Sequence, residues 1–144
     1  MKAIHIFFAT LCLALPATAQ DTSAEAARQA ARDAFGVAMP DIEIYPDSMV
    51  AGAWAWMSDV EDGKGAIDPK TLQLIGLAVA SQIPCEYCTY YHRKAAASLG
   101  ATKQEIAEAA AMAGYVRNWS AVLYGTGADV AEYHAMVDGL FPEQ

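Results

Sequence analysis

Between residues 72 and 80 the chain is apolar on nearly every side, with Leu74, Ile75, Leu77 and Val79 spread around any helix drawn through them. A helix of that kind has no face to give to water, so it belongs at the centre of a packed bundle. Its boundaries are marked. Asp68-Pro69 reads as an N-cap followed by Pro at the first helical position. Pro84 breaks the chain beyond it, and Gln73 is its one large polar residue.

The rest of the chain follows the same logic. No stretch alternates as a strand would, and no segment repeats. Residues 22–35 are rich in Ala, with Glu25, Arg28 and Arg32 interspersed, and read as an exposed helix ended by Gly36. From Met39-Pro40 to Tyr45-Pro46 an irregular extended connector is expected, because each Pro biases its predecessor away from the α region. Asp47 or Ser48 would cap a short helix through Met57, and residues 61–65 form a polar, glycine-rich loop. Beyond Pro84 a helix is expected over residues 85–99, closed by Gly100. Thr102 and Glu105 have the spacing of a capping box and open a long helix ending near Gly125. In it Ile106, Ala109, Ala113, Val116 and Leu123 share a face, and a last helix covers residues 128–140. The expected class is all-α, a compact multi-helix domain whose small residues let helices approach closely.

Length and charge narrow the function. The 144 residues make one domain. A net charge of -8 speaks against a nucleic-acid partner, which needs a clustered basic face. A hydrophobic content of 55% excludes a disordered polyelectrolyte.

Residues 1–19 have the form of a secretory signal. Lys2 supplies the positive start, residues 4–15 the apolar run, and Ala17-Thr18-Ala19 the small-x-small cleavage pattern. The run is too short to span a bilayer, so stable membrane insertion is not expected. Cleavage near Ala19 would leave residues 20–144 as one exported, periplasmic domain. It would also remove Cys12, leaving only Cys85 and Cys88 of the three cysteines. A pair three residues apart closes a loop too short to constrain the unfolded chain much. It reads as chemical rather than structural.

At a helix start the pair gains three properties. Both sulfurs lie within the first turn, where free backbone N–H groups and the helix dipole favour a thiolate. Positions i and i+3 share a side, so the sulfurs can close a disulfide. His92 is i+4 from Cys88, which places a base one turn from a nucleophile. Two other readings stand beside this one. Cys85, Cys88 and His92 form a zinc-ligand spacing with His134 as a distant fourth, or the pair is an inert disulfide tying the helix start.

These residues, with Leu74-Ile75-Gly76-Leu77-Ala78-Val79-Ala80 before them and Gly100-Ala101-Thr102 after, resemble the alkylhydroperoxidase D-like branch of the carboxymuconolactone decarboxylase superfamily. The resemblance covers about 55 residues closely. It implies an all-helical fold assembling into trimers or larger homo-oligomers, and a cysteine pair that reduces hydroperoxides. Through it Cys88 corresponds to the attacking cysteine, Cys85 to the resolving one and His92 to the relay histidine. The family motif has a Glu twelve residues before the first cysteine, and here that position is Gln73. An amide can orient His92 but cannot accept or deliver a proton near neutral pH. This departure bears on peroxidase efficiency more than on dithiol–disulfide exchange. Tyr87 stands between the cysteines, where some relatives carry a second histidine.

The expected activity is therefore that of an exported thiol oxidoreductase acting through Cys85, Cys88, His92 and Gln73. Its partners would be a small hydroperoxide or disulfide and a thiol electron donor, with no cofactor implied. Tyr87, Tyr90, Tyr91, Trp119 and Tyr124 are expected in core or subunit packing, or else around the substrate. Of Trp54 and Trp56 at most one can point into a core. Arg117 would pair with an acidic residue or attract a carboxylate.

Overall fold

The computed structural model describes residues 18–142, and every regular element among them is a helix. The expected signal segment lies outside the described residues apart from Thr18 and Ala19. The described chain forms two compact units that divide between Val60 and Glu61.

The first unit holds α1 (Thr18–Phe35), α2 (Pro40–Glu43) and α3 (Asp47–Glu61), whose last residue already belongs to the second unit. Helix α1 starts earlier than its Ala-rich stretch suggests and ends at Gly36, whose φ of 72° only glycine adopts without cost. The expected extended connector contains a helical turn instead. Pro40 stands in the first turn, where its missing N–H is no loss, and Asp41 and Glu43 favour the positive helix end. Helix α3 is longer than expected because residues 58–61 hold no breaker, and the carbonyl of Pro46 takes its first amide bonds, from Met49 and Val50. Ala24, Ala27, Ala31, Ile42 and Val50 form the core of this unit, with Trp54 packed against it and Trp56 facing outward.

The second unit carries α4 (Pro69–Gln82), α5 (Glu86–Ser98), α6 (Lys103–Thr126) and α7 (Val130–Leu140). Asp68 caps α4 as its sequence implies, accepting the Thr71 N–H at 3.0 Å. Helix α4 packs against both α5 and α6. The buried residues of these helices are Gln73, Leu77 and Ala80 on α4, Ala96 on α5 and Ala113 on α6, and mostly Ala at these positions lets the axes come close. Two polar ties fix the ends of the pair. Lys70 and Glu105 form an ion pair at 2.8 Å, and the Gln82 amide donates to the Ala113 carbonyl.

Burial of α4 is less complete than its composition demands. Ile75 is 46% exposed and Val79 56%. Helix α6 is similar: Ala113 is buried and Ile106, Ala109 and Leu123 are half-buried, but Val116 lies open with Met112, Tyr115, Trp119 and Val122. These five follow helical spacing along one stripe. The single chain therefore leaves apolar surface uncovered on its central helices. No helix among the described residues is long and apolar enough to cross a membrane.

Candidate functional site

Helix α5 begins at the cysteine pair. After Pro84 the backbone of Cys85 is extended (φ -95°, ψ 104°), so this residue is the N-cap, and the helix proper starts at Glu86. Its carbonyl receives the Thr89 N–H at 3.0 Å, and its sulfur accepts the Cys88 N–H at 3.1 Å. A side-chain atom at this position normally comes from Ser, Thr, Asp or Asn; here sulfur fills it. Cys85 and Cys88 are joined as a disulfide, and both are half-buried. On reduction, either thiolate would face the free amides and positive dipole end of α5, which lowers a thiol's pKa.

His92, one turn after Cys88, turns its ring toward α4. A Cβ on Gly76 would stand 2.6 Å from both Cε1 and Nδ1 of that ring, so the absence of a side chain there is what admits it. Nδ1 of His92 lies 2.7 Å from Oε1 of Gln73, which is 5% exposed. The amide nitrogen of Gln73 in turn donates to Oε2 of Glu61 at 3.4 Å, and the Tyr91 hydroxyl donates to the same oxygen at 2.6 Å. The Tyr91 and His92 rings meet edge to face at 5.2 Å. Burial pushes the His92 pKa below its ordinary value, and the Glu61 carboxylate partly opposes that shift. His92 is thus favoured as a neutral imidazole, the form that can accept a proton.

The four residues singled out in the sequence form two pairs along α4 and α5: Cys85 is joined to Cys88 by a disulfide, and His92 is hydrogen-bonded to Gln73. Glu61, Tyr91 and Gly76 complete the arrangement. Glu61 read as part of a surface loop, and Tyr91 only as one aromatic among several. No local signal marks Glu61, because its partners Gln73 and Tyr91 lie 12 and 30 residues further along the chain.

Other candidates stand apart. His134 is exposed on α7, and among the described residues no group of three or more His, Cys, Asp or Glu is placed to hold a metal ion. Tyr87 and Tyr124 are almost fully exposed and Tyr90 and Trp119 partly so; none of the four is core. Arg117 lines an open cleft of about 380 Å³ beside the cysteine loop, with Ser81, Gln82, Pro84 and Gly114.

The carboxymuconolactone decarboxylase family model matches residues 45–131. A protein of Paracoccus denitrificans known as "uncharacterized protein 4 in cox locus" is 37% identical over 76 residues, 53% of this chain and 68% of that one. Among solved structures, the alkylhydroperoxidase AhpD core of Rhodospirillum rubrum superposes with a TM-score of 0.68 at 24% identity, covering 82% of this chain and 90% of that one. That likeness is one of fold.

Proposed function

Because the chain belongs to the carboxymuconolactone decarboxylase family and has the fold of an AhpD core, we propose that it is a thiol oxidoreductase that reduces small hydroperoxides through Cys85 and Cys88. One observation carries the reading: the two cysteines are bonded across the first turn of α5, with a half-buried histidine one turn further on the same helix. A disulfide so placed is reachable from outside, and its reduced form is biased toward thiolate.

The cycle follows from the chemistry of the three residues. Cys88 gives its proton to His92 and attacks the terminal oxygen of ROOH. The O–O bond breaks, an S–O bond forms, and the departing alkoxide takes the proton back from His92 as ROH. Cys88 is now a sulfenic acid. The Cys85 thiol displaces its oxygen as water, forming the S–S bond. Two electrons have passed from two thiols to one peroxide. An external dithiol then reduces the disulfide by exchange and is itself oxidised.

A dithiol–disulfide exchanger without peroxidase activity is the second reading, favoured by the amide at Gln73 where the family motif has a carboxylate. One experiment separates the two. Reduced protein is mixed with a hydroperoxide and a dithiol donor, and peroxide loss is followed for wild type and Cys88→Ser. Catalytic loss only in wild type is the expected outcome. Equal loss in both ends the peroxidase reading, and insulin reduction without peroxide turnover selects the exchanger.

Two further properties belong to the same proposal. The apolar stripe of Met112, Tyr115, Val116, Trp119 and Val122 on α6 suits a second copy of the chain, giving a trimer or larger assembly; a monomer by light scattering would refute this. Residues 1–19 would direct the protein across the membrane, where the pair rests as a disulfide.

A further inference from the structure

Resting on the thiol–histidine reading above, the contacts behind His92 can be followed one residue further back. A carboxylate oxygen only accepts hydrogen bonds. Whatever Gln73 presents to Oε2 of Glu61 must therefore be its NH₂ group, because an amide oxygen there would face another acceptor. Tyr91 donates its hydroxyl proton to the same Oε2, which holds the carboxylate in place. With its NH₂ turned to Glu61, the amide has only its carbonyl oxygen left for His92. That oxygen is an acceptor as well, so the imidazole nitrogen 2.7 Å away must carry the proton. A neutral ring protonated on Nδ1 is bare on Nε2.

We propose that Glu61 is a positioning residue: it fixes the Gln73 amide, which fixes His92 as the Nδ1–H tautomer and leaves Nε2 as the atom that exchanges a proton with Cys88. Glu61 itself takes no proton from the histidine, since an amide between them does not conduct one near neutral pH. Its effect passes through orientation alone. Were the amide reversed, its NH₂ would face Nδ1, and the ring would hold its proton on Nε2. A ring in that state has no basic nitrogen free for the thiol. Gln73 therefore does the orienting work of a carboxylate only while an acceptor stands behind it.

The test exchanges that acceptor for a donor. Glu61→Lys places an ammonium group opposite Gln73 at the C-terminal end of α3, where the helix dipole welcomes a cation. The tautomer of His92 is read by ¹⁵N NMR of histidine-labelled full-length protein with no substrate present, at a pH where the ring is neutral. The His92→Asn spectrum identifies the resonance. Wild type is expected to show Nδ1–H and a bare Nε2, Glu61→Lys the reverse, and Glu61→Ala a mixture of the two. With the reversal, peroxide turnover should fall by ~100-fold, the lower range for loss of a general base. The double variant Glu61→Gln/Gln73→Glu puts the carboxylate against His92 directly and should restore Nδ1–H.

A wild-type ring protonated on Nε2 overturns the proposal. So does a folded Glu61→Lys or Glu61→Ala protein whose His92 stays wholly Nδ1–H. Because the tautomer is read without peroxide, a wild type that consumes none would count against the peroxidase reading and leave this result standing.

Discussion

The N-termini of α5 and α6 share one plan carried out with different atoms. In α6 the Thr102 hydroxyl accepts the Glu105 N–H at 3.1 Å, the Glu105 carboxylate accepts the Thr102 N–H at 2.6 Å, and Lys70 completes the cap with an ion pair. In α5 the Cys85 sulfur accepts the Cys88 N–H, also at 3.1 Å. Oxygen at this position is a strong acceptor with no further chemistry. Sulfur is a weaker acceptor that can ionise, attack and pair. Helix α5 thus gives up capping strength at the residue proposed to react, while ordinary oxygen caps start its neighbours α4 and α6.

The largest effect is expected from changing Cys85 itself. Cys85→Ser keeps a cap but removes the resolving thiol, so peroxide consumption should stop after about one equivalent, with Cys88 left as sulfenic acid. Cys85→Ala loses both functions. Urea unfolding of the reduced proteins should place Cys85→Ser above wild type and Cys85→Ala below Cys85→Ser by ~1 kcal/mol. Equal stability of wild type, Ser and Ala variants would mean that no side-chain cap at position 85 stabilises α5. Continued peroxide turnover in either would remove Cys85 from the cycle.

The matching change in α6 should be silent in chemistry. Thr102→Ala removes the hydroxyl but leaves the backbone N–H that Glu105 accepts, so half of the capping box survives. We expect a loss of ~1 kcal/mol in unfolding free energy with unchanged peroxide turnover. A tenfold loss of turnover at this position would show that the two helix starts are coupled rather than parallel.

How much of this was legible in sequence depends on the reach of each signal. Caps and breakers act over three or four residues, and Asp68-Pro69, Thr102 with Glu105, Gly36 and Pro84 mark the helix ends to within a few positions. Cys85, Cys88 and His92 were legible for the same reason, being neighbours on one helix. Helix α2 was not, because a proline that bars its predecessor from the α region also suits a first helical turn. Glu61 was hidden because its partners, Gln73 and Tyr91, lie 12 and 30 residues away, beyond any local spacing. The exposure of Ile75 and Val79 was hidden differently: composition says that they need cover, but not whether the same chain provides it.

Acid should separate the two helix starts in pH, and this is the smallest effect of the three. Burial holds the His92 pKa below its ordinary 6.5 in the folded protein. As pH falls through about 6.5 the unfolded chain takes up a proton that folded His92 resists, so stability declines from there down to the folded value and is flat below it. Glu105 acts in the same direction but at lower pH. Its pKa is lowered from 4.5 to about 2, first by the Lys70 hydrogen bond and then by the Thr102 amide. Its contribution is complete above about 4.5 and disappears as pH falls through about 2. Urea midpoints of the reduced protein should therefore decline first as pH falls below about 6.5, in a step that His92→Asn removes and Glu105→Gln leaves untouched. A second decline, below pH 4.5, should shrink in Glu105→Gln alone. If the first step survives in His92→Asn, the half-buried imidazole is not its source, and the region around α5 owes its acid sensitivity to another group.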